Sequence, residues 1–327
     1  MVRVLDRNNL IRALKQVQRN EGAAGVDGMT VDKLPDFLKE TWPKIKRQLA
    51  EGTYHPKPVQ RVEIPKPDGS KRKLGIPAVL DRLIQQAIAQ IMQEEWDSNF
   101  HNNSYGFRPH RNAHQAIGYA QSVIRDGYNW VVDCDLEAFF DQVNHDLLMN
   151  QLKAHHDDVT LLRLINRYLK AGECINGTKQ ASMKGVPQGG PLSPVLSNIV
   201  LNNLDWELEK RNLRFARYAD DSVIFVSSKA AGERVMKSLQ RFLGESLRLT
   251  VNTQKSTVGR PWGRSFLGFT LSRRELKVKV SGKALTKLKT TVKQLSRRTR
   301  GHSILQIIAE LKNPCLVGKR ISISRKY

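Results

Sequence analysis

Two adjacent carboxylates, Asp220 and Asp221, stand between apolar segments in FARYADDSVIFV, residues 215–226. The flanks read as short strands, so the pair falls at a hairpin turn. Asp is common in turns because its side chain bonds nearby backbone N–H groups, and a solvated turn is one reading of the pair. The other reading is chemical: hard cations such as Mg²⁺ prefer oxygen ligands, which paired carboxylates supply. A second acidic pair, Asp133 and Asp135, ends the stretch WVVDCD, residues 130–135. Carboxylates from separate rigid elements can hold two divalent ions about 3.5–4 Å apart, which activate an attacking hydroxyl and stabilise a leaving phosphate oxygen. Asp135 and Asp220 are the first choice as ligands, Asp221 is the third, and Asp133 competes with Asp135. Asp135 is favoured because LEAFFD follows it and places Phe140 five residues on.

Such a site needs a strand end and a hairpin tip that meet. Trp130 to Val132 reads as a strand, a helix begins near Asn144 as N-cap, and residues 146–170 read as helix. The Gly/Pro-rich loop GVPQGGPLSPVLSN, residues 185–198, feeds a long helix from about Pro194. After the Asp-Asp hairpin come an amphipathic helix over 230–247, the short strands LTVN, STVG and SFLGFTL, and basic helical spacing from Ser281. Upstream, residues 1–50 read as helices broken by GAAGVDGMT, and 52–77 as a hairpin, VQRVEIP and RKLGIP, around Asp68-Gly69. Residues 78–97 form an apolar-striped helix, and a basic loop, SYGFRPHRNAH, leads into another. An antiparallel sheet with helices on one face would bring the two acidic sites together.

The 327 residues carry 54 Lys and Arg against 31 Asp and Glu, a net charge of +23. That balance points to a polyanionic partner, nucleic acid before membrane. Cys134, Cys174 and Cys315 are few, odd in number and not at metal-ligand spacing, which suits a reducing compartment, the cytoplasm. His110 and His114 stand four apart without further ligands, so zinc is rejected. No apolar run reaches membrane-span length, and no membrane is expected.

Asp135 with Phe139-Phe140-Asp141, then GVPQGGPLSPVLSN, YADD, LTVNTQKS and FLGF resemble, in order, successive motifs of reverse transcriptases. EGAAGVDGMT, IPKPDGSKRKLGIPAVLDRLIQQAI and YGFRPHRNAHQAI resemble the reverse transcriptase/maturases encoded by bacterial group II introns. The resemblance covers roughly residues 10–270. It implies an α+β right-hand polymerase with fingers, an RRM-like palm and a partial helical thumb. The expected divisions are 1–127, N-terminal extension and fingers; 128–275, palm, with a fingers insertion at about 146–184; and 276–327, a basic thumb fragment.

The resemblance further implies RNA-directed DNA synthesis with two Mg²⁺, Mn²⁺ being a substitute. Asp135, Asp220 and Asp221 would be the metal ligands, with the Leu136 carbonyl nearby. Phe140 matches a gate against a ribonucleotide 2′-OH; core packing is its other reading. Gln188 would touch the incoming nucleotide or template, and Lys66 and Arg72 its triphosphate, unless they form a solvated basic hairpin. Lys255 matches a lysine that protonates the leaving pyrophosphate, or is an ordinary surface lysine. Phe266, Leu267 and Gly268 resemble the hairpin that holds the primer end. Arg108 and Arg111 fall in a loop close to the template, and Lys283 and Lys287 in a thumb resting on a duplex.

The implied partners are intron RNA or an RNA template, a DNA or RNA primer, and dNTPs; a homodimer stays open. Residues 271–327 hold 16 Lys and Arg against Glu275 and Glu310, but do not follow the family's usual thumb ending. The family's nuclease region is not matched, so cleavage of a DNA target strand is not expected. Two alternatives remain: an RNA-binding splicing cofactor without polymerase role, and a domesticated or defence-associated reverse transcriptase.

Overall fold

The computed structural model describes residues 1–65, 69, 71–297, 301 and 303–311. Two amphipathic helices, α1 (Arg7–Arg19) and α2 (Leu34–Ala50), open the chain, the first capped by the Asp6 carboxylate. Strands β1 (Val59–Pro65) and β2 (Lys71–Ile76) pair antiparallel. The buried helix α3 (Val79–Trp96) follows, then α4 (Ala113–Arg125), which starts in a capping box between Asn112 and Gln115.

The central part contains β3 (Trp130–Cys134), α5 (Phe139–Gln142), α6 (His145–Lys153), α7 (Val159–Lys170), β4 (Glu173–Ile175), β5 (Thr178–Gln180) and α8 (Ser193–Lys210). The hairpin β6 (Arg214–Tyr218) and β7 (Asp221–Val226) leads to α9 (Lys229–Ser246) and β8 (Thr257–Gly259). A last hairpin, β9 (Phe269–Leu271) and β10 (Val278–Val280), precedes α10 (Gly282–Leu295).

Two four-stranded sheets position the site. The fingers sheet runs β2-β1-β4-β5 and the palm sheet β6-β7-β3-β8. In β3, Val132 and Cys134 face one core with Phe215 and Ile224, while Val131 faces a second with Ala216, Val223 and Phe225. This is the period-2 alternation of a sheet covered on both sides. Helices α8 and α9 cover the first face; α4 and Leu271 cover the second. The expectation of helices on one face is thereby corrected: β3 carries apolar side chains on both of its faces, and each needs a cover.

Residues 146–170 are two helices, not one. Asn144 accepts from Leu147 N to start α6, and Asp158 accepts from Leu161 N to start α7. The β4–β5 hairpin, too short and polar to show a pattern, joins the fingers sheet through a parallel pairing of β4 with β1. LTVN contributes an isolated Leu136–Val251 bridge in place of a strand. The Asp68-Gly69 turn rests on residues outside those described, apart from Gly69, as does Cys315.

Candidate active site

The palm register sets the first carboxylates face to face. Strand β3 pairs antiparallel with β7 through Asp133–Val223 and Cys134–Ser222, and one step further along Asp135 is level with Asp221. Asp133 lies inside the sheet, between Val223 and Thr257, and lines an apolar cavity with Arg264. The backbone of Asp135 is fixed on both sides. Its N–H donates to Ser256 Oγ at 2.9 Å, and its carbonyl accepts from Asn252 N–H at 2.8 Å. The turn carrying Lys255 is thereby closed onto Asp135, with the Lys255 side chain exposed.

Asp220 sits in the two-residue turn between Tyr218 and Asp221, which pair across the hairpin. Ala219, the first turn residue, has φ +58°. A non-glycine residue in that region is strained and persists where its surroundings hold it. They do so here. Arg217, 1 % exposed, donates from Nη1 to the Ala219 carbonyl at 2.8 Å. Its remaining donors meet Asp205 on both oxygens, Asn198 Oδ1 and Ser104 Oγ. All five guanidinium N–H groups are thus used. From outside, Gly106 presses on the turn: a Cβ there would lie 2.3 Å from Ala219 N.

Four carboxylates therefore share one sheet end. Protein surrounding the Asp221 carboxyl, then the charges of Asp220, Asp135 and Asp133, push it up to about 6, although its outer side is open to solvent. Burial also raises Asp133, with Asp135 adding to the rise and Arg264 opposing it. Crowded like charges that resist ionisation are the donor set a divalent cation neutralises. Among the described residues, no three His, Cys, Asp or Glu side chains are gathered tightly enough to hold a metal ion as they stand.

The raised Asp221 value makes a stability prediction for the metal-free protein. Its folded form holds the proton more tightly than the unfolded chain, so ionisation costs stability as pH rises from about 4 and fully above about 6. Asp221→Asn should melt like the parent near pH 4 and become more stable above about 6, by about 1 kcal/mol given solvent screening. Melting curves across that range check it. An unchanged difference between the two proteins would mean that neither burial nor the neighbouring carboxylates hold the Asp221 proton in the folded protein.

Phe140 packs edge-on against buried Phe139, ring centroids 5.2 Å apart, and its other side lines a cleft. Arg61 and Lys73 of the fingers strands and residues 180–187 share that cleft. Gln188 is held beside it, its carbonyl accepting from Gly75 N–H at 2.8 Å. Gly189, at φ +124°, would set a Cβ 2.8 Å from the Gly75 carbonyl, so the loop can lie on β2 only as glycine. Arg72 is exposed on β2 opposite Ile64; Lys66 lies outside the described residues.

Phe266 and Phe269 exchange backbone hydrogen bonds around Leu267 at φ +52° and Gly268 at φ +81°, a tight two-residue turn. On α10, Ala284, Leu288, Val292 and Leu295 are half-buried, and Lys283 and Lys287 are exposed.

Arg108 is a correction. The sequence places it at the template, but its guanidinium is buried within the protein. It donates to Asp97 Oδ1, the Asp97 carbonyl and the His101 and Ser104 carbonyls, and lies over the Phe100 ring. It organises the loop that supports Arg217, through the Ser104–Arg217 bridge. Arg111, half-buried, donates to Asn102 and stacks over Tyr105.

Arg217 and Asp205 were missed. The available signal was an arginine at an inward position of an apolar strand, which requires a buried carboxylate elsewhere.

A family model described as reverse transcriptase (RNA-dependent DNA polymerase) matches residues 64–271. The chain belongs to the reverse transcriptase family. It is 35% identical over 272 residues to Protein YkfC of Escherichia coli K12, covering 72% of this chain and 71% of that protein. It is equally 35% identical, over 214 residues, to the group II intron-encoded protein LtrA of Lactococcus lactis subsp. cremoris. That match covers 64% of this chain and 35% of LtrA, so the chain spans about a third of that relative's length. Among solved structures, telomerase from Candida albicans in complex with a fragment of telomeric RNA shares the fold, with TM-score 0.55 and 14% identity. The superposition covers 88% of this chain and 58% of telomerase. No helix among the described residues is long and apolar enough to cross a membrane.

Proposed function

We propose that this chain is an RNA-directed DNA polymerase of group II intron type, extending a primer on an RNA template by two-metal phosphoryl transfer. The observation that carries the reading is the palm register, which sets Asp135 level with Asp221 beside the Asp220 turn. Asp135, Asp220 and Asp221 would hold two Mg²⁺, which supply Lewis-acid activation of a primer 3′-hydroxyl and charge stabilisation at the leaving phosphate oxygen.

The chain's own residues would do the rest. Phe140, which lines the cleft, would shape the sugar site, and Gln188, next to the lining residue Pro187, would touch the incoming nucleotide or template. Arg72, on β2, and Lys66 would contact the triphosphate, and Lys255, on the turn closed onto Asp135, would protonate the pyrophosphate. The tight turn at Phe266, Leu267 and Gly268 would seat the primer end. Lys283 and Lys287 offer phosphate contacts to the duplex, as does Arg111 to the template. Intron RNA is the proposed natural partner, bound largely through the +23 charge, with assistance to splicing as a second role.

The test is extension of a DNA primer on an RNA template with dNTPs and Mg²⁺. Full-length copies support the reading, and no extension with tight RNA binding would leave a splicing cofactor without polymerase activity. Phe140 gives a sharper prediction. Phe140→Ala should raise kcat/KM for rNTPs relative to dNTPs on the order of 10- to 100-fold, because the gate discriminates one hydroxyl by exclusion. An unchanged ratio with a lowered melting temperature would make Phe140 a packing partner of Phe139 only.

A further inference from the structure

The palm sheet has a second functional end. Its strands are antiparallel, so the start of β3, the end of β7, the start of β6 and the end of β8 gather at the side away from the carboxylates. Trp130 stands five strand steps from Asp135, roughly 16 Å at about 3.3 Å per residue. There arginines lie on aromatic rings. Arg260 sits 4.4 Å from the Trp130 ring centre and 5.5 Å from that of Trp262, with Arg273 5.8 Å from Trp262. On β6 of the same sheet end, Arg214 lies 5.8 Å from the ring of Tyr128.

Ion pairing does not account for these arginines. Arg61, Arg108, Arg211 and Arg217 are ion-paired with carboxylates, whereas among the described residues Arg214, Arg260 and Arg273 are not. Asp126 acts on Arg214 only through space. The three guanidiniums are exposed and the rings half-buried, so ring contacts, with the Asn129 carbonyl accepting from Arg260 and Tyr119 hydrogen-bonding Arg214, hold the cations at the surface. A flat, ring-supported guanidinium presents a stacking plane to a base and edge donors to a phosphate. Alternating aromatic and cationic groups are the composition of single-strand binding surfaces, which take bases by stacking rather than by reading their edges.

We propose that this sheet end is a second RNA-binding surface, taking unpaired nucleotides on the arginine–aromatic ladder while the carboxylate end holds primer and template. It goes beyond the polymerase reading, which needs only the opposite end.

The test uses the full chain with a primer–template duplex in the cleft and no dNTPs, and reads binding of fluorescein-labelled oligoadenosine by anisotropy. Arg260→Glu combined with Arg273→Glu should weaken binding roughly tenfold or more. It should also make the log K against log salt slope shallower by about 1.4, two contacts at about 0.7 each. Trp262→Ala should cost roughly 5- to 100-fold, the worth of one base stacked on one ring. Arg260→Lys with Arg273→Lys keeps the charge but loses the planar stack, and should fall between parent and Glu pair. Primer extension on a short duplex should match the parent in all three variants.

Unchanged oligoadenosine affinity and slope in the Glu pair would overturn the proposal. So would extension falling in step with affinity, because the residues would then maintain the fold. Retained RNA binding with lost binding to phosphatidylserine vesicles would assign the surface to a membrane and overturn it too. If the parent fails to extend primers, the polymerase reading fails while oligoadenosine binding still decides this one.

Discussion

Asp220→Asn should lower primer extension by about three orders of magnitude or more while leaving RNA affinity nearly intact. Metal ions on a transferring phosphate supply several kcal/mol of transition-state stabilisation, and each 1.36 kcal/mol is about tenfold in rate. Asparagine keeps the size and turn preference of aspartate but removes the charge that holds the cation. The hairpin should therefore fold as before, since Tyr218–Asp221 pairing and the Arg217 bond to Ala219 involve no Asp220 side-chain atom. Single-turnover extension with Mg²⁺ measures the loss, and anisotropy with labelled RNA checks the binding. Equal rates in parent and variant would remove Asp220 from the metal site.

The second large effect concerns a residue that touches no substrate. Asp205 is fully buried and Arg217 is 1 % exposed, so each is compensated only by the other and by neighbouring dipoles. Arg217→Met should lose about 3–5 kcal/mol of unfolding free energy, because it leaves a buried carboxylate without its counter-charge. Adding Asp205→Leu removes the orphaned charge and should restore much of that stability. It should not restore extension, because the Ala219 carbonyl still lacks its donor and the left-handed turn before Asp220 is no longer held. Urea unfolding and single-turnover extension together separate the two roles. A double variant regaining both stability and parental rate would reduce Arg217 to a structural salt bridge. Arg217→Lys should not substitute, since one ammonium cannot span the two oxygens of Asp205, Asn198, Ser104 and Ala219 at once.

These two residues mark the divide between what was legible and what was not. The turn at Asp220 could be read because it leaves a local trace: two carboxylates side by side between apolar strands, with a second acidic pair on another strand. Helix starts were equally local. Asn144 caps α6 through one hydrogen bond to a residue three positions on, so a short window of sequence contains the whole interaction. The amphipathic helix α9 followed from periodicity for the same reason, and α8 from the Gly/Pro-rich loop that feeds it.

Arg108 and Arg217 show the opposite case. Both are arginines in a basic chain: Arg108 has no local mark of burial, and the inward strand position of Arg217 says that a partner is needed without saying which. Their partners lie elsewhere in the fold: Asp97 and His101 for Arg108, Asp205, Asn198 and Ser104 for Arg217. Desolvation decides the matter, since a guanidinium removed from water must have its donors met, and only the tertiary structure shows which carbonyls and carboxylates meet them. The arginine–aromatic ladder is of the same kind. Tyr128, Trp130, Arg214, Arg260, Trp262 and Arg273 are scattered over more than a hundred residues and come together because antiparallel pairing gathers four strand ends at one side of a sheet. By itself the sequence determined the carboxylates, the family and the charge. The tertiary structure decided which positive charges face inward to hold the turn and which remain at the surface, because burial is a property of the packed chain and not of any window within it.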